Sequence, residues 1–321
     1  MVDLHSAFEK HAYKVHKEIA VTSPAHSVIA ASWRRSMLHH GITPSEKNLA
    51  RRLSGRELLL AKQKLEFLLH LAKPIMEELF LTVGQTGCCV VLTDKDGVIL
   101  HRLTNDVDEA SFNAWGLNAG SIWSEDRQGT NGIGTCAIEK RAILIHKDQH
   151  YRSKNIGMTC MGAPIFDTDG AIMAGLDVSS ARNDLQKEFA QVLTSLVSNT
   201  ANRIETEHFR ASFNEAQIVV AEGYCALGTP LLASDRDDLI IGANRAARKM
   251  LNLQRETFAI PIPHDDLITG STRSTGLQSA ERAALRKAIS RTKGNMTLAA
   301  KELDVSRATF YRMLKKHGIS S

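Results

Sequence analysis

From Leu277 to Ser321 the chain carries three helical stripes parted by two short breaks, Lys293-Gly294-Asn295 and Asp304-Val305-Ser306. That rhythm restricts this end to a small three-helix unit. Ala283, Ala284, Leu285, Ala288 and Ile289 form the apolar stripe of a first helix over 278–292. Thr297 is placed to cap a short second helix over 298–303. The connection 304–306 has the length of a helix-turn-helix turn, Ser306 caps a third helix over 307–317, and Gly318 closes it. On the third helix Phe310, Met313 and Leu314 share the inner face, which leaves Arg307, Thr309, Arg312, Lys315 and Lys316 on or beside the outer one. The stretch 277–321 holds ten Lys and Arg against three acids, so of the chain's net +5 it carries +7 and the first 276 residues sum to −2. Concentrated positive charge on an exposed helix suits a polyanion. Arginine can donate bidentately to guanine in the major groove while lysine neutralises phosphate. A solvated basic helix remains the plain alternative.

The stretch GNMTLAAKELDVSRATFYRMLKKHGI, residues 294–319, resembles the C-terminal helix-turn-helix of the Fis family. The likeness joins a Gly-Asn-x-Thr start, an Ala-Ala pair, an Arg-x-Thr helix start and a basic end. It implies that Arg307 and Arg312 read bases, that Ser306 and Thr309 lie near the DNA backbone, and that Tyr311, Lys315 and Lys316 complete the DNA-binding set. Asp304 stands where the family's turn usually has glycine, a position that often needs a positive φ.

The remaining sequence belongs to a globular chain. At 321 residues and 43% hydrophobic it can bury two or three cores. No apolar run approaches the ~18 residues of a membrane span, and the N-terminus is too charged for a signal peptide, so a cytoplasmic, nucleoid-associated protein is expected. Five irregularly spaced cysteines do not make a disulfide framework. Residues 1–82 carry helical spacing. Two strand pairs follow, CCVVLTD-KDG-VILHRL from Cys88 and MTCMGAPIF-DTDG-AIMAGLDVS from Met158 to Ser179, each around an Asp-Gly turn. Between them lie a helix over 108–116, the glycine-rich EDRQGTNGIGTCAIEK, and the strand AILIH; a long helix over 182–209 comes after. The expected fold class is α+β.

This order, with SIWSEDRQGTNGIGTCAIEKRAILIHKDQHY, TCMGAPIFDTDGAIMAGLDVSS and the segment IAASWRRS at 29–36, resembles the GAF domain of acetoin-catabolism and dihydroxyacetone-type activators. The resemblance implies that the glycines pack a helix against the sheet beside a pocket. No Gly-x-x-x-x-Gly-Lys-Ser/Thr phosphate loop is present. Those activators carry a central AAA+ ATPase, and here the interval from Glu205 to Gly276 is 72 residues, too short for one. Within it GYCALGTPLLASDRDDLIIGANRAARKMLNL resembles a shortened PAS segment, with strands at 231–233 and 239–241 and a helix at 244–251. The expected organisation is a helical segment over 1–82, a GAF-like sensor over 83–204, a degenerate PAS-like segment over 205–260, a polar linker over 261–276 and the DNA-binding unit over 277–321.

Trp115, Trp123, Cys136, His146 and Cys160 are the candidate ligand-binding residues. The tryptophans can line an organic pocket or pack a core, and the cysteines can sense oxidation or serve as small buried groups. Glu125 and Asp126 beside Arg127 read as a surface charge cluster. No catalytic set, metal site or cofactor is expected. The implied partners are an operator in double-stranded DNA with inverted repeats, an unidentified effector, a second copy of the chain, and RNA polymerase or a separate activator, without a membrane. Two other readings stay open: a GAF-fold enzyme of the free-methionine sulfoxide reductase kind, and a Fis-like architectural DNA-bending protein.

Overall fold

The computed structural model describes residues 4–22, 27–46, 50–235, 239–254, 257–258, 262–263, 267, 277–292 and 294–319. They divide into two compact units, residues 1–264 and 265–321.

The first unit opens with helices α1 (Leu4–Val21) and α2 (Val28–Arg34), and Arg35–His39 continues α2 as a π-helical turn. Ser27 caps α2 by accepting from the Ala30 N–H. Helix α3 (Gly55–Lys64) starts with a capping box in which Ser54 and Glu57 satisfy each other's backbone donors. Helix α4 (Glu66–Val83) follows.

The sheet consists of β1 (Cys88–Asp94), β2 (Ile99–Leu103), β3 (Ile143–His146), β4 (Thr159–Phe166) and β5 (Ile172–Ser180), in the order β2-β1-β5-β4-β3 with every pair antiparallel. Helices α5 (Asp106–Trp115), α6 (Glu125–Gln128) and α7 (Gly132–Glu139) lie between β2 and β3, and α8 (Lys187–Ser212) follows β5. Strand alternation divides the sheet's two faces. Cys88, Val90 and Leu92 of β1, Met161, Ala163 and Ile165 of β4, and Leu176 and Val178 of β5 join the apolar face of α4 and α8 in one core. The alternate residues Cys89, Val91 and Cys160 join Phe112, Leu117, Trp123, Ile133 and Met158 in a second core on the opposite face.

After α8 a smaller antiparallel sheet forms from β6 (Gln217–Val220), β7 (Leu231–Ser234), β8 (Leu239–Ala243) and β9 (Ile262–Pro263), with α9 (Arg245–Met250) capped by Asn244. The expected pair β7/β8 and its helix are present. The outer strands β6 and β9 were not expected, because Gln217–Val220 follows α8 without a turn signal and Ile262–Pro263 is only two residues. Helix α9 touches the first sheet and its β4–β5 turn: Arg245 stacks its guanidinium 3.6 Å from the Phe166 ring centre, and Arg248 donates to the Thr168 carbonyl. Most of the expected linker 261–276 lies outside the described residues.

The second unit is three helices, Leu277–Arg291, Met296–Glu302 and Arg307–Lys316, around Leu285, Ala288, Ala299, Ala300, Phe310 and Leu314. Ala283's side chain lies outside the described residues. Among the described residues no helix is long and apolar enough to cross a membrane.

Candidate functional site

The C-terminal unit presents its third helix with Arg307, Tyr311, Arg312, Lys315 and Lys316 exposed and Thr309 half-buried. Ser306 caps it: its hydroxyl oxygen accepts from the Thr309 N–H at 3.1 Å and lies 2.9 Å from the Thr309 hydroxyl. Arg307 sits over the Tyr311 ring at 5.7 Å, which biases the guanidinium along the helix. Lys316 donates to Glu281 of the first helix at 2.6 Å, and His317 meets the same carboxylate oxygen at 2.9 Å. Lys316 therefore shares its charge with Glu281, and Lys315 is the freer phosphate partner. The cap of the second helix differs from the expectation at Thr297. Asn295 takes that role, its side-chain oxygen accepting from both Thr297 and Leu298 N–H groups. Asp304 in the turn has φ 51°. An L-residue there is strained, so Asp304→Gly is expected to raise stability by up to about 1 kcal/mol, readable as a higher Tm of the full chain.

In the first unit the glycine-rich stretch serves close packing. A Cβ on Gly132 would collide with Asp177 and Cys160, and one on Gly134 would strike the backbone of Ser124 and Glu125. On β4, a Cβ on Gly162 would run into the Gly132 carbonyl. Helix α7 thus rests its backbone on β4, with Asn131 capping it through the Gly134 N–H.

The Glu125 reading needs correction. Far from the surface, Glu125 is 1% exposed. Its carboxylate accepts from Arg35 Nε at 2.7 Å and Nη2 at 3.2 Å, from Ser32 at 2.6 Å and from Thr135 at 2.9 Å. Arg35 also donates to Glu139 at 2.8 Å. The IAASWRRS segment is thereby pinned beneath the glycine-rich stretch. The same N-terminal helices fasten the loop 147–156. His11 donates to the His150 carbonyl, Trp33 to the Gln149 carbonyl, and Tyr151 to the Ile42 carbonyl, at 2.9, 2.8 and 2.6 Å.

Beneath that loop lies a buried polar group. Cys160 contacts His150 Nε2 at 3.2 Å and receives the Ser179 hydroxyl at 3.1 Å, and the same hydroxyl lies 2.6 Å from Asp177 Oδ2. His150 Nδ1 faces the Lys147 carbonyl at 2.9 Å and must donate to it, so Nε2 carries the lone pair and accepts the Cys160 thiol proton. Burial lowers the His150 pKa to about 4 and pushes the Cys160 and Cys136 thiols up. Burial likewise raises Asp177 to about 7, against the pull of its Ser179 hydrogen bond.

The expected ligand residues fall around this group unevenly. Cys160 belongs to it. Trp123 is buried in the adjoining core with its indole N–H on the Gly116 carbonyl at 3.0 Å, and Trp115 packs half-buried against the same core. Cys136 bonds the Ile133 carbonyl at 3.2 Å and packs with Ile143 and Ile145. His146 turns to the Thr159 hydroxyl at 3.0 Å, away from His150's thiol contact. Asp177 and Ser179 were not among the candidates. No cluster of three or more His, Cys, Asp or Glu side chains that could hold a metal ion occurs among the described residues.

Two family models match: GAF domain over residues 68–204, and bacterial regulatory protein, Fis family, over residues 276–317. The chain is similar to the acetoin catabolism regulatory protein of Cupriavidus necator, 30% identical over 70% of this chain and 34% of that protein. It is also similar to the signal-transduction and transcriptional-control protein of Clostridium beijerinckii, 24% identical over 64% of this chain and 32% of that one. The acetoin dehydrogenase operon transcriptional activator AcoR of Bacillus subtilis is 30% identical over 47% of this chain and 25% of its own length. The chain thus spans a quarter to a third of the length of these relatives. A crystal structure of the E. coli DhaR(N)–DhaL complex shares the fold, with a TM-score of 0.52 and 18% identity over 72% of this chain and 76% of that one.

Proposed function

We propose, for a chain that joins a GAF domain to the helix-turn-helix of the Fis regulatory family, that it is a transcriptional regulator whose GAF domain senses a small molecule and alters operator binding. The observation that carries this reading is the third C-terminal helix, capped, basic and exposed, on the same chain as a sheet whose inner face holds a buried polar group. Relatives named for acetoin catabolism make operons of small-molecule catabolism the target class.

In this reading the protein acts as a dimer. One such unit buries too little DNA for strong specificity. The apolar side chains Leu81 of α4 and Phe189 and Val192 of α8, on two helices that pack together, are exposed and are available to a second copy. A two-fold dimer reads an inverted repeat with half-sites about 10 bp apart, or closer on bent DNA. In this reading action proceeds without ATP hydrolysis, and the four-stranded sheet from β6 to β9 in the stretch between sensor and DNA-binding unit supports it. The effector then works by differential affinity for two dimer arrangements, a coupling of about 1–3 kcal/mol.

Operator binding tests the reading. Arg307→Ala and Arg312→Ala are each expected to cost about 1–3 kcal/mol on the preferred site and to relax discrimination. Lys315→Ala is expected to weaken binding to all sequences and flatten the salt slope, with Lys316→Ala the milder of the two because Glu281 already holds that ammonium. Equal losses for all four on specific and random DNA, or a monomer by sedimentation at micromolar concentration, would sink it.

A further inference from the structure

Two neighbouring surfaces of the first unit carry opposite charge. Residues 51–73 hold six Lys and Arg against two Glu, although the first 276 residues sum to −2. They build α3 and the first half of α4. Between these helices runs a groove of about 410 Å³, lined by Leu59 and Leu69 together with Lys62, Lys73 and Glu66. Leu59 is 57% exposed, and no residue of α3 is buried. Lys62 also lines the next cleft, about 350 Å³ along the edge strand β2, shared by Arg52, His101 and, from α5, Glu109 and Asn113. Burial lowers the His101 pKa, and the charges of Lys73 and Lys62 lower it further against the pull of Glu77. Glu78 and Glu109 are held by Arg203 and Arg102, and Lys62 and Lys73 have no ion-pair partner among the described residues. On the other side of the cleft, residues 104–118 carry Asp106, Asp108 and Glu109 and no Lys or Arg. These acids fall in the first turn of α5, whose one buried residue is Phe112. Glu109 pairs with Arg102, which leaves Asp106 exposed and Asp108 half-buried on either side of Val107, itself 91% exposed.

We propose that a second copy of the chain docks on this edge, each copy setting the acidic start of its α5 into the α3–α4 groove of the other about a two-fold axis beside β2. A two-fold contact sets each patch against its counterpart twice over. Adjacent patches of opposite sign therefore complement each other when the surface meets a copy of itself. Asp106 and Asp108 supply the carboxylates that Lys62 and Lys73 lack, and Val107 supplies an apolar group for Leu59 and Leu69. A separate acidic partner would neutralise the groove and leave the α5 acids unpaired. Duplex DNA would bring its phosphates against Glu109, which lines the cleft beside Lys62. The contact is separate from the one that Leu81, Phe189 and Val192 offer. It goes beyond the regulatory reading, which needs a dimer but not this surface.

The test is sedimentation of the full chain without DNA, at tens of micromolar and at low and high salt. The parent is expected to self-associate and to lose mass as salt rises. Lys62→Glu/Lys73→Glu and Asp106→Lys/Asp108→Lys are each expected to weaken that association by about tenfold or more, since each sets like charges face to face. An equimolar mixture of the two should regain the parent's mass, because both contacts of the mixed pair are again opposite in sign. Circular dichroism checks that each variant is folded. Lys62→Gln/Lys73→Gln and Asp106→Asn/Asp108→Asn replace any that is not, and each should weaken association by about threefold or more. A parent whose mass neither reversal changes, or reversals whose mixture stays at the lower mass, overturns the proposal. So does loss of random-duplex binding in Lys62→Glu/Lys73→Glu with self-association intact, which would make the groove a DNA surface. A chain that stays dimeric through both reversals and binds operator DNA loses only this contact, whereas one that sediments as a monomer and binds no operator fails the regulatory reading as well.

Discussion

Replacing Arg35 with alanine is expected to destabilise the chain by about 3–5 kcal/mol, the usual cost of stranding a buried charge. The side chain of Glu125 is fully buried, and Arg35 is its only ion-pair partner among the described residues. The Ser32 and Thr135 hydroxyls would remain as donors, but hydroxyls do not neutralise a carboxylate out of water. Glu125→Gln should be milder, about 1–3 kcal/mol, because it removes the charge together with the need for a cation. The double variant Arg35→Ala/Glu125→Gln should then recover part of the loss, and that recovery is the coupling energy of the pair. Arg35→Lys should rescue poorly, since a single ammonium cannot reach both Glu125 oxygens and Glu139 as the guanidinium fork does. Urea unfolding followed by tryptophan fluorescence reads all four, since Trp33 and Trp123 are both buried in the folded chain. An Arg35→Ala variant within about 1 kcal/mol of the parent would mean that the π-helical turn after α2 is not what fastens the N-terminal helices to the glycine-rich stretch.

What could be read in the sequence depended on whether the signal was local. The third C-terminal helix was legible because Phe310, Met313 and Leu314 recur at helical spacing and Ser306 is a cap residue immediately before it. Asp304 was recognisable as a strained turn residue from the likeness to a glycine position, and its φ of 51° is of that kind. The second helix's cap was misplaced because Asn295 and Thr297 are both cap residues two positions apart, and only geometry shows Asn295 reaching two N–H groups. Glu125 was misread because charges in a row ordinarily face water, and its partner Arg35 lies 90 residues away. Asp177 and Ser179 escaped for a related reason. On β5 the polar residues alternate with Leu176 and Val178, the pattern of a strand with one wet face. That face is instead closed by α7 and the loop 147–156, a tertiary fact that period-two alternation cannot carry.

The same covered face makes the pH dependence of stability diagnostic. Burial raises the Asp177 carboxyl to about 7, so the folded chain holds a proton that the unfolded chain releases near its ordinary value of about 3.9. The sign follows from that order. The group imposes no penalty below about pH 3.9, and an increasing one as pH rises, until the penalty is complete above about pH 7. Between about pH 5 and about pH 8 this amounts to roughly 3 kcal/mol lost by the parent. Glu205, raised to about 7 by burial, slopes the same way, and His150, lowered to about 4, slopes the opposite way as pH falls below about 6.5. Both remain in an Asp177→Asn variant, so the difference between variant and parent isolates Asp177. Asp177→Asn is therefore expected to be less stable than the parent or equal to it near pH 5. Near pH 8 it should be more stable by about 1–3 kcal/mol, the relief of the charge less the cost of one unpaired amide group. Denaturant titrations at the two pH values measure it directly. Parallel stability curves would place the Asp177 proton elsewhere. A crossing between them would show a carboxyl that burial keeps protonated, at the expense of stability once pH rises above its raised pKa.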